Sequence, residues 1–260
     1  MKKKIVLACL CGVAVLASQS AMASSLKVRG GVTNNSYTLD ITPTPTAGNP
    51  YAESSYSGNS LGLTWLADDS SIYLDYAASS GSGDWTGKYT SGTTFTSAFT
   101  RADNAIVLGT NTITSGGSAS SFYVGWKNGE SNLTRAPGAV TNPSLIFKTS
   151  GLIFGGGLGI PAAGGTIGLS LGMGIMNGQY DNIAKATITS TVYTTTSSQA
   201  DNAIGFSYGI GYTYSFTPNI GVTVDYKGNA YKYTFDSGLS SEWSLNESFT
   251  TTGATLFVKF

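Results

Sequence analysis

The sequence predicts an all-β chain, folded as an antiparallel up-and-down β-barrel whose strands cross a bilayer. Three observations lead there. Apolar residues alternate with small or polar ones through most of the chain. Charged residues make up only 11% of the 260 residues, while the 34 glycines are about twice the ordinary share. The connections between alternating segments are short and long in turn. Hydrophobic content is an ordinary 41%, so small neutral polar residues have taken the place of the missing charge. Aromatic residues at 12% exclude a disordered chain, which lacks large apolar groups.

The chain opens with Lys2, Lys3 and Lys4, then an apolar run from Ile5 to Leu16, then Ala21-Met22-Ala23. That is the layout of a cleaved secretory signal peptide over residues 1–23. The run is too short to span a bilayer as a helix. Val6-Leu7-Ala8 before Cys9 also fits a lipid-modified cysteine, though with few apolar residues ahead of it. Cleavage after Ala23 removes Cys9 and Cys11 and leaves one domain, residues 24–260, without thiol chemistry. It also leaves a small excess of acidic groups. That balance provides no basic face for nucleic acid. The sequence contains no histidine, so no Ser-His-Asp triad, Cys-His dyad or His-ligated zinc can be built. No enzymatic activity, metal or cofactor is expected.

The strands follow in order. The first sets Leu26 and Val28 against Lys27 and Arg29 and runs to about Leu39. Leu61, Leu63 and Trp65 alternate with Gly62 and Thr64 up to a turn at Asp68-Asp69. Ile72, Leu74, Tyr76 and Ala78 then alternate with Tyr73, Asp75 and Ala77. Ile106 and Leu108 run into a turn near Ser115-Gly116-Gly117, and Phe122, Val124 and Trp126 alternate with Tyr123, Gly125 and Lys127. No charge occurs between Lys148 and Asp181, a length that would license a transmembrane helix. Pro161 and the period-two glycines point instead to a hairpin: Gly151 to Ile160, a turn at Pro161 to Gly165, then Thr166 to Gly178. Gly155-Gly156-Gly157 lacks the Gly-Lys-Ser/Thr ending and the helix of a phosphate loop. Ile204, Phe206, Tyr208, Ile210, Tyr212, Tyr214 and Phe216 form one face of a long strand. After Thr217-Pro218-Asn219 the alternation resumes with Ile220, Val222, Val224 and Tyr226, which fits an antiparallel hairpin.

The count is ten strands, with eight or twelve as the alternatives. Short turns fall near Ala67–Ser70, Thr112–Ser118, Pro161–Gly165 and Thr217–Asn219. Long loops cover about Ile41–Ser55, Ser79–Thr100, Asn128–Thr149, Gln179–Ala200 and Phe235–Asn246. Short turns on one side and long loops on the other is the transmembrane barrel layout. A water-exposed outer wall would carry many Lys and Glu, and the polar faces here are mostly Gly and Ser. Small residues fit a narrow lumen. The competing fold is a soluble secreted β-sandwich.

The C-terminus alternates Ala254, Leu256, Val258 and Phe260 on one face with Thr255 and Lys259 on the other. A final aromatic residue closing an alternating strand resembles the terminal signal of bacterial outer-membrane β-barrel proteins. The resemblance covers the class and no one family within it. It implies that Leu256, Val258 and Phe260 are the assembly signal read by the barrel-assembly machinery. It also implies a Gram-negative outer membrane as the location, with lipid and lipopolysaccharide as the surroundings. The enzymatic barrels of that class rely on a catalytic histidine, which this chain lacks.

By register, Lys27, Arg29, Asp75, Lys127, Asp225, Lys227 and Lys259 point into the lumen. Charges of both signs there either pair into a plug or line a wet pore. The expectation is a porin-like small pore for polar solutes or ions. The alternative is a non-conducting structural or adhesin-like barrel that acts through its outer loops. Ala102-Asp103-Asn104-Ala105-Ile106 recurs as Ala200-Asp201-Asn202-Ala203-Ile204, four strands on. Asp103 and Asp201 are expected in inward register at the outer mouth, as a cation-tuning pair or as repeated loop-closing residues. The loop aromatics Trp85, Tyr89, Phe95, Phe99, Tyr193 and Trp243 suit a recognition surface.

Overall fold

A computed structural model describes residues 25–42, 51–67, 71–88, 94–134, 144–185, 193–235 and 243–260. Those residues form ten antiparallel strands. They are β1 (Ser25–Thr42), β2 (Tyr51–Leu66), β3 (Ile72–Lys88), β4 (Thr94–Ile113) and β5 (Ala119–Thr134), then β6 (Ser144–Ala162), β7 (Gly165–Lys185), β8 (Tyr193–Ser215), β9 (Ile220–Phe235) and β10 (Trp243–Lys259). Each strand pairs with its sequence neighbours, and β1 pairs with β10 to close the barrel. The seam is hydrogen-bonded to the last residue: Leu26 N–H donates to the Phe260 carbonyl (3.2 Å) and Phe260 N–H to the Leu26 carbonyl (2.8 Å). A closed barrel leaves no strand edge unpaired in lipid. Residues 1–23, read as a signal peptide, lie outside the described residues.

The short turns fall where the alternation breaks. Between β6 and β7 the turn is Ala163-Gly164, at φ 48° and 78°. Two consecutive left-handed residues make the two-residue turn whose twist matches a hairpin. The long loops are much shorter than the sequence suggested. β3 runs on to Lys88 and β4 begins at Thr94, so most of the Ser79–Thr100 segment is strand, and the other four long connections shrink likewise.

The reason is a change of solvent part-way up each strand. Near the short turns the outward side chains are apolar: Val28, Leu63, Leu74, Leu108, Val124 and Leu169 all face out. Leu171 is 73% exposed, so it has no protein partner and meets lipid. This band ends on each strand near Val32, Leu61, Tyr76, Ile106, Trp126, Leu152, Ile175, Ile204, Tyr226 and Leu256. Above it the outward residues turn polar: Asn34, Asn59, Asn104, Asn128 and Ser150 come next on their strands, and on β3 Ser80 follows Ala78. The inward residues change the opposite way. Lys27, Arg29, Thr33 and Asn35 give way to Tyr37 and Leu39 on β1, and Asp225, Lys227 and Asn229 give way to Tyr231, Tyr233 and Phe235 on β9. The lower storey is a membrane barrel, apolar outside. The upper storey is built like a water-soluble barrel, with an apolar core inside and a polar wall outside. The expectation that the apolar residues face lipid therefore holds for the lower storey only.

Candidate functional site

The lumen of the lower storey is a chamber of about 590 Å³ that reaches up to Arg101 and Phe249. Lys27, Arg29, Asp75, Lys127, Asp225 and Lys227 line it, and Lys259 faces Lys27 across the β1–β10 seam in the same inward register. Most of these charges are paired. Arg29 donates to Asp75 Oδ2 (3.0 Å) and to Thr64 Oγ1 (2.7 Å), and the Thr64 hydroxyl donates to Asp75 Oδ1 (2.5 Å). Lys227 lies 3.0 Å from Asp225. Lys27 sits 4.0 Å over the Phe257 ring. Small residues leave the space between them. A Cβ on Gly172 would come within 2.7 Å of the Tyr123 hydroxyl.

The chamber ends in a charged knot. Arg101 on β4 is 3% exposed and forks onto Asp103, with Nε and Nη2 each 2.8 Å from a carboxylate oxygen. Its Nη1 donates to Ser131 Oγ (2.7 Å) and pairs with Glu247 of β10, itself 1% exposed. The guanidinium stacks 4.8 Å from the Phe249 ring and 5.2 Å from that of Tyr37. Lys127 is 4.0 Å from Asp103 and 4.5 Å from the Phe249 ring. Two cations therefore face two carboxylates in a nearly dry section.

At the level of the knot or above it, every strand sends a buried side chain inward. β1 to β5 contribute Tyr37, Tyr56, Trp85, Phe99 and Leu133. β6 to β10 contribute Phe147, Met176, Ala203, Tyr233 and Leu245. Tyr37 and Phe99 pack with centroids 5.0 Å apart, Phe147 meets Tyr233 edge-on at 5.0 Å, and Phe235 stacks on Trp243 at 4.1 Å. Side chains from all ten strands thus crowd this part of the lumen.

Several expectations are corrected here. Asp103 points inward, but Asp201 faces the outside and is exposed. Between Met176 and Gly178 the β7–β8 register slips: Met176 pairs with Ala203 and Gly178 with Ala200, so Asn177 alone faces Asp201 and Asn202. This bulge inserts one residue and reverses the parity of everything above it. Asn202 takes a left-handed φ of 58° there, a conformation asparagine tolerates better than most residues. Trp85 and Phe99 are not loop aromatics; they belong to the inner core. Trp243 opens β10 and packs on Phe235. Tyr89 and the side chains of Phe95 and Tyr193 lie outside the described residues. Leu256, Val258 and Phe260 all face outward at the end of the closing strand. Reading the sequence also missed Arg101, Ser131 and Glu247; Ser131 lies in a segment taken for a loop, and Arg101 and Glu247 stand one residue past the ends of two others.

A closed ten-stranded barrel with a lipid-facing apolar band has the fold of outer-membrane β-barrels. Solved structures of that class are similar to it. The outer membrane protease OmpT from Escherichia coli matches over 91% of this chain and 96% of its own, with a TM-score of 0.62 and 10% identity. The translocator domain of the autotransporter NalP from Neisseria meningitidis matches over 100% and 98%, at 0.47 and 9%. OprG from Pseudomonas aeruginosa matches over 92% and 97%, at 0.43 and 10%. No family model matches the sequence, and no curated relative matches it.

Proposed function

We propose that this protein is a non-conducting barrel of the Gram-negative outer membrane, exported by a cleaved signal peptide, which works through its polar upper wall and outer loops. The observation that carries this is the crowded lumen: ten strands each place a buried side chain inward, at or above the level of an Arg101–Glu247 pair. The lower chamber is then a hydrated cavity of the membrane barrel, and its pairs brace the wall. Its immediate surroundings are lipid and lipopolysaccharide, and Leu256, Val258 and Phe260 present the outward pattern for the assembly machinery to read. The pore reading has the 590 Å³ chamber in its favour, but needs the plug to move.

Planar-bilayer recording on the refolded full chain decides between them. Folding is checked independently by the shift in SDS-gel mobility on boiling. A folded barrel that stays electrically silent supports the closed reading. Discrete, reproducible conductance steps overturn it.

A further inference from the structure

The repeated Ala-Asp-Asn-Ala-Ile segment has a role that the lumen does not absorb. Its two copies stand on β4 and β8, at the two ends of one row across the outside of the barrel. In register, Asn104 pairs with Asn128, Asn128 with Ser150, and Ser150 with Asn177, which faces the Asp201-Asn202 bulge. Four inter-strand steps of about 4.8 Å make this row roughly 19 Å long. The next row up carries Glu130, Lys148, Gln179 and Gln199. Together they line a concavity of about 640 Å³ on the outer wall. Trp126, 46% exposed, borders it on the lipid side.

The chemistry of this surface is specific. Amides dominate it, and each carries two donors and an acceptor with two lone pairs. They are held in place: Trp126 Nε1 donates to Asn128 Oδ1 (3.1 Å), Asn128 Nδ2 to Asn104 Oδ1 (3.0 Å), and the backbone N–H of Asn202 to Asn177 Oδ1 (3.2 Å). That anchors the side chains and leaves hydrogen-bonding capacity facing out. The one cation among the described lining residues, Lys148, is engaged by Asp181 at 3.4 Å. The remaining charges, Glu130 and Asp201, are acidic and repel phosphate and carboxylate. The bulge takes Asp201 out of the lumen and adds it to this surface, an arrangement typical of bulges that re-aim a side chain.

We propose that the outer wall of β4 to β8, just above Trp126, is a binding site for a neutral saccharide. Dense fixed amides with two acidic acceptors suit hydroxyl groups, which both donate and accept. A bordering indole offers an apolar contact for the C–H face of a sugar ring. The volume is within the range of ordinary ligand sites. The site rests on the reading above that the upper wall is the working surface. The saccharide can come from the lipopolysaccharide of the same membrane or from a glycan outside the cell.

The test uses the full chain in nanodiscs free of lipopolysaccharide, titrated calorimetrically with two probes. One is the dephosphorylated core oligosaccharide of a lipopolysaccharide, the other the neutral tetrasaccharide lacto-N-tetraose. Saturable binding of at least one is expected. Ser150→Tyr fills the concavity and should weaken binding at least tenfold. Asn104→Ala, which removes no backbone contact, should weaken it several-fold. Ser82→Tyr, outward on β3, should leave it unchanged. The core oligosaccharide binding alone assigns the source to the cell's own membrane; the tetrasaccharide alone assigns it outside. No binding of either probe, tighter binding of the phosphorylated core, or equal loss in Ser150→Tyr and Ser82→Tyr overturns the proposal. Boiling-dependent gel mobility establishes that each variant is folded. The bilayer recording is independent, so a conducting barrel and a barrel without a saccharide site are separate failures.

Discussion

Glu247→Gln tests the charged knot directly. The substitution keeps the shape and removes one charge from a section that holds Arg101, Lys127, Asp103 and Glu247. Two cations would then face one carboxylate. Breaking a buried pair by removing one partner costs about 3–5 kcal/mol. Arg101 keeps its fork onto Asp103, both contacts at 2.8 Å, so the lower end applies, about 3 kcal/mol. At about 1.36 kcal/mol per decade this is roughly a 150-fold shift in the folding equilibrium. The assay is urea unfolding in lipid vesicles, followed by loss of the heat-modifiable band. Lys227→Gln is the control. Its partner Asp225 is 3.0 Å away, but the lysine side chain is 57% exposed, so about 0.5 kcal/mol or less is expected. If Glu247→Gln costs no more than Lys227→Gln, the section is wet and the closed-lumen argument fails.

Three further outcomes follow from the two-storey wall. Leu171→Arg, in the lipid band, should cost about 2–4 kcal/mol in vesicles, and Ser82→Arg on the upper wall about 0.5 or less; similar costs for both would dissolve the distinction. Burial raises the pKa of Tyr37, Tyr56, Tyr231 and Tyr233 in the upper core, so they stay neutral in the fold where the unfolded chain ionises near pH 10. Their contribution to stability should be level below pH 10 and fall above it by about 1.4 kcal/mol per pH unit for each tyrosine, with Tyr37→Phe lessening the fall relative to the parent; identical profiles for the two from pH 10 to 11 in urea titrations count against the core. Asn202, at φ 58°, should accept glycine without loss and reject valine at about 1–3 kcal/mol, measured by the same unfolding assay.

The strand order and the lower lumen were legible because period-two alternation is a local signal. The upper storey left a trace as well. On β9 the apolar positions are even-numbered through Val222, Val224 and Tyr226, then odd-numbered through Tyr231, Tyr233 and Phe235, with no turn between. β10 does the reverse along the chain, from Leu245 and Phe249 to Leu256 and Val258. A switch of parity without a turn is what a strand passing from one solvent to another must show. Reading the switch as the end of a strand produced the overlong loops. The Arg101–Glu247 pair was out of reach for a different reason. The two residues stand on β4 and β10 and meet across the lumen, with no pairing register between their strands to announce it.

The bulge on β8 then has a reason in the knot. With uninterrupted alternation above Ala203, Asp201 would enter the lumen and Ala200 would face out. The knot already balances two cations with two carboxylates. A third carboxylate in that nearly dry section would lack a partner, and an uncompensated buried charge costs several kcal/mol. Holding Asn202 in a left-handed conformation costs about 1–3 kcal/mol, less than the charge it averts. The same inserted residue puts Ala200, 2% exposed, into the core in place of the acid. The two copies of the repeat are thus alike in sequence and opposite in use. On β4 the aspartate completes the charged knot, and on β8 it is turned out to the wall, where water or a ligand can meet its charge.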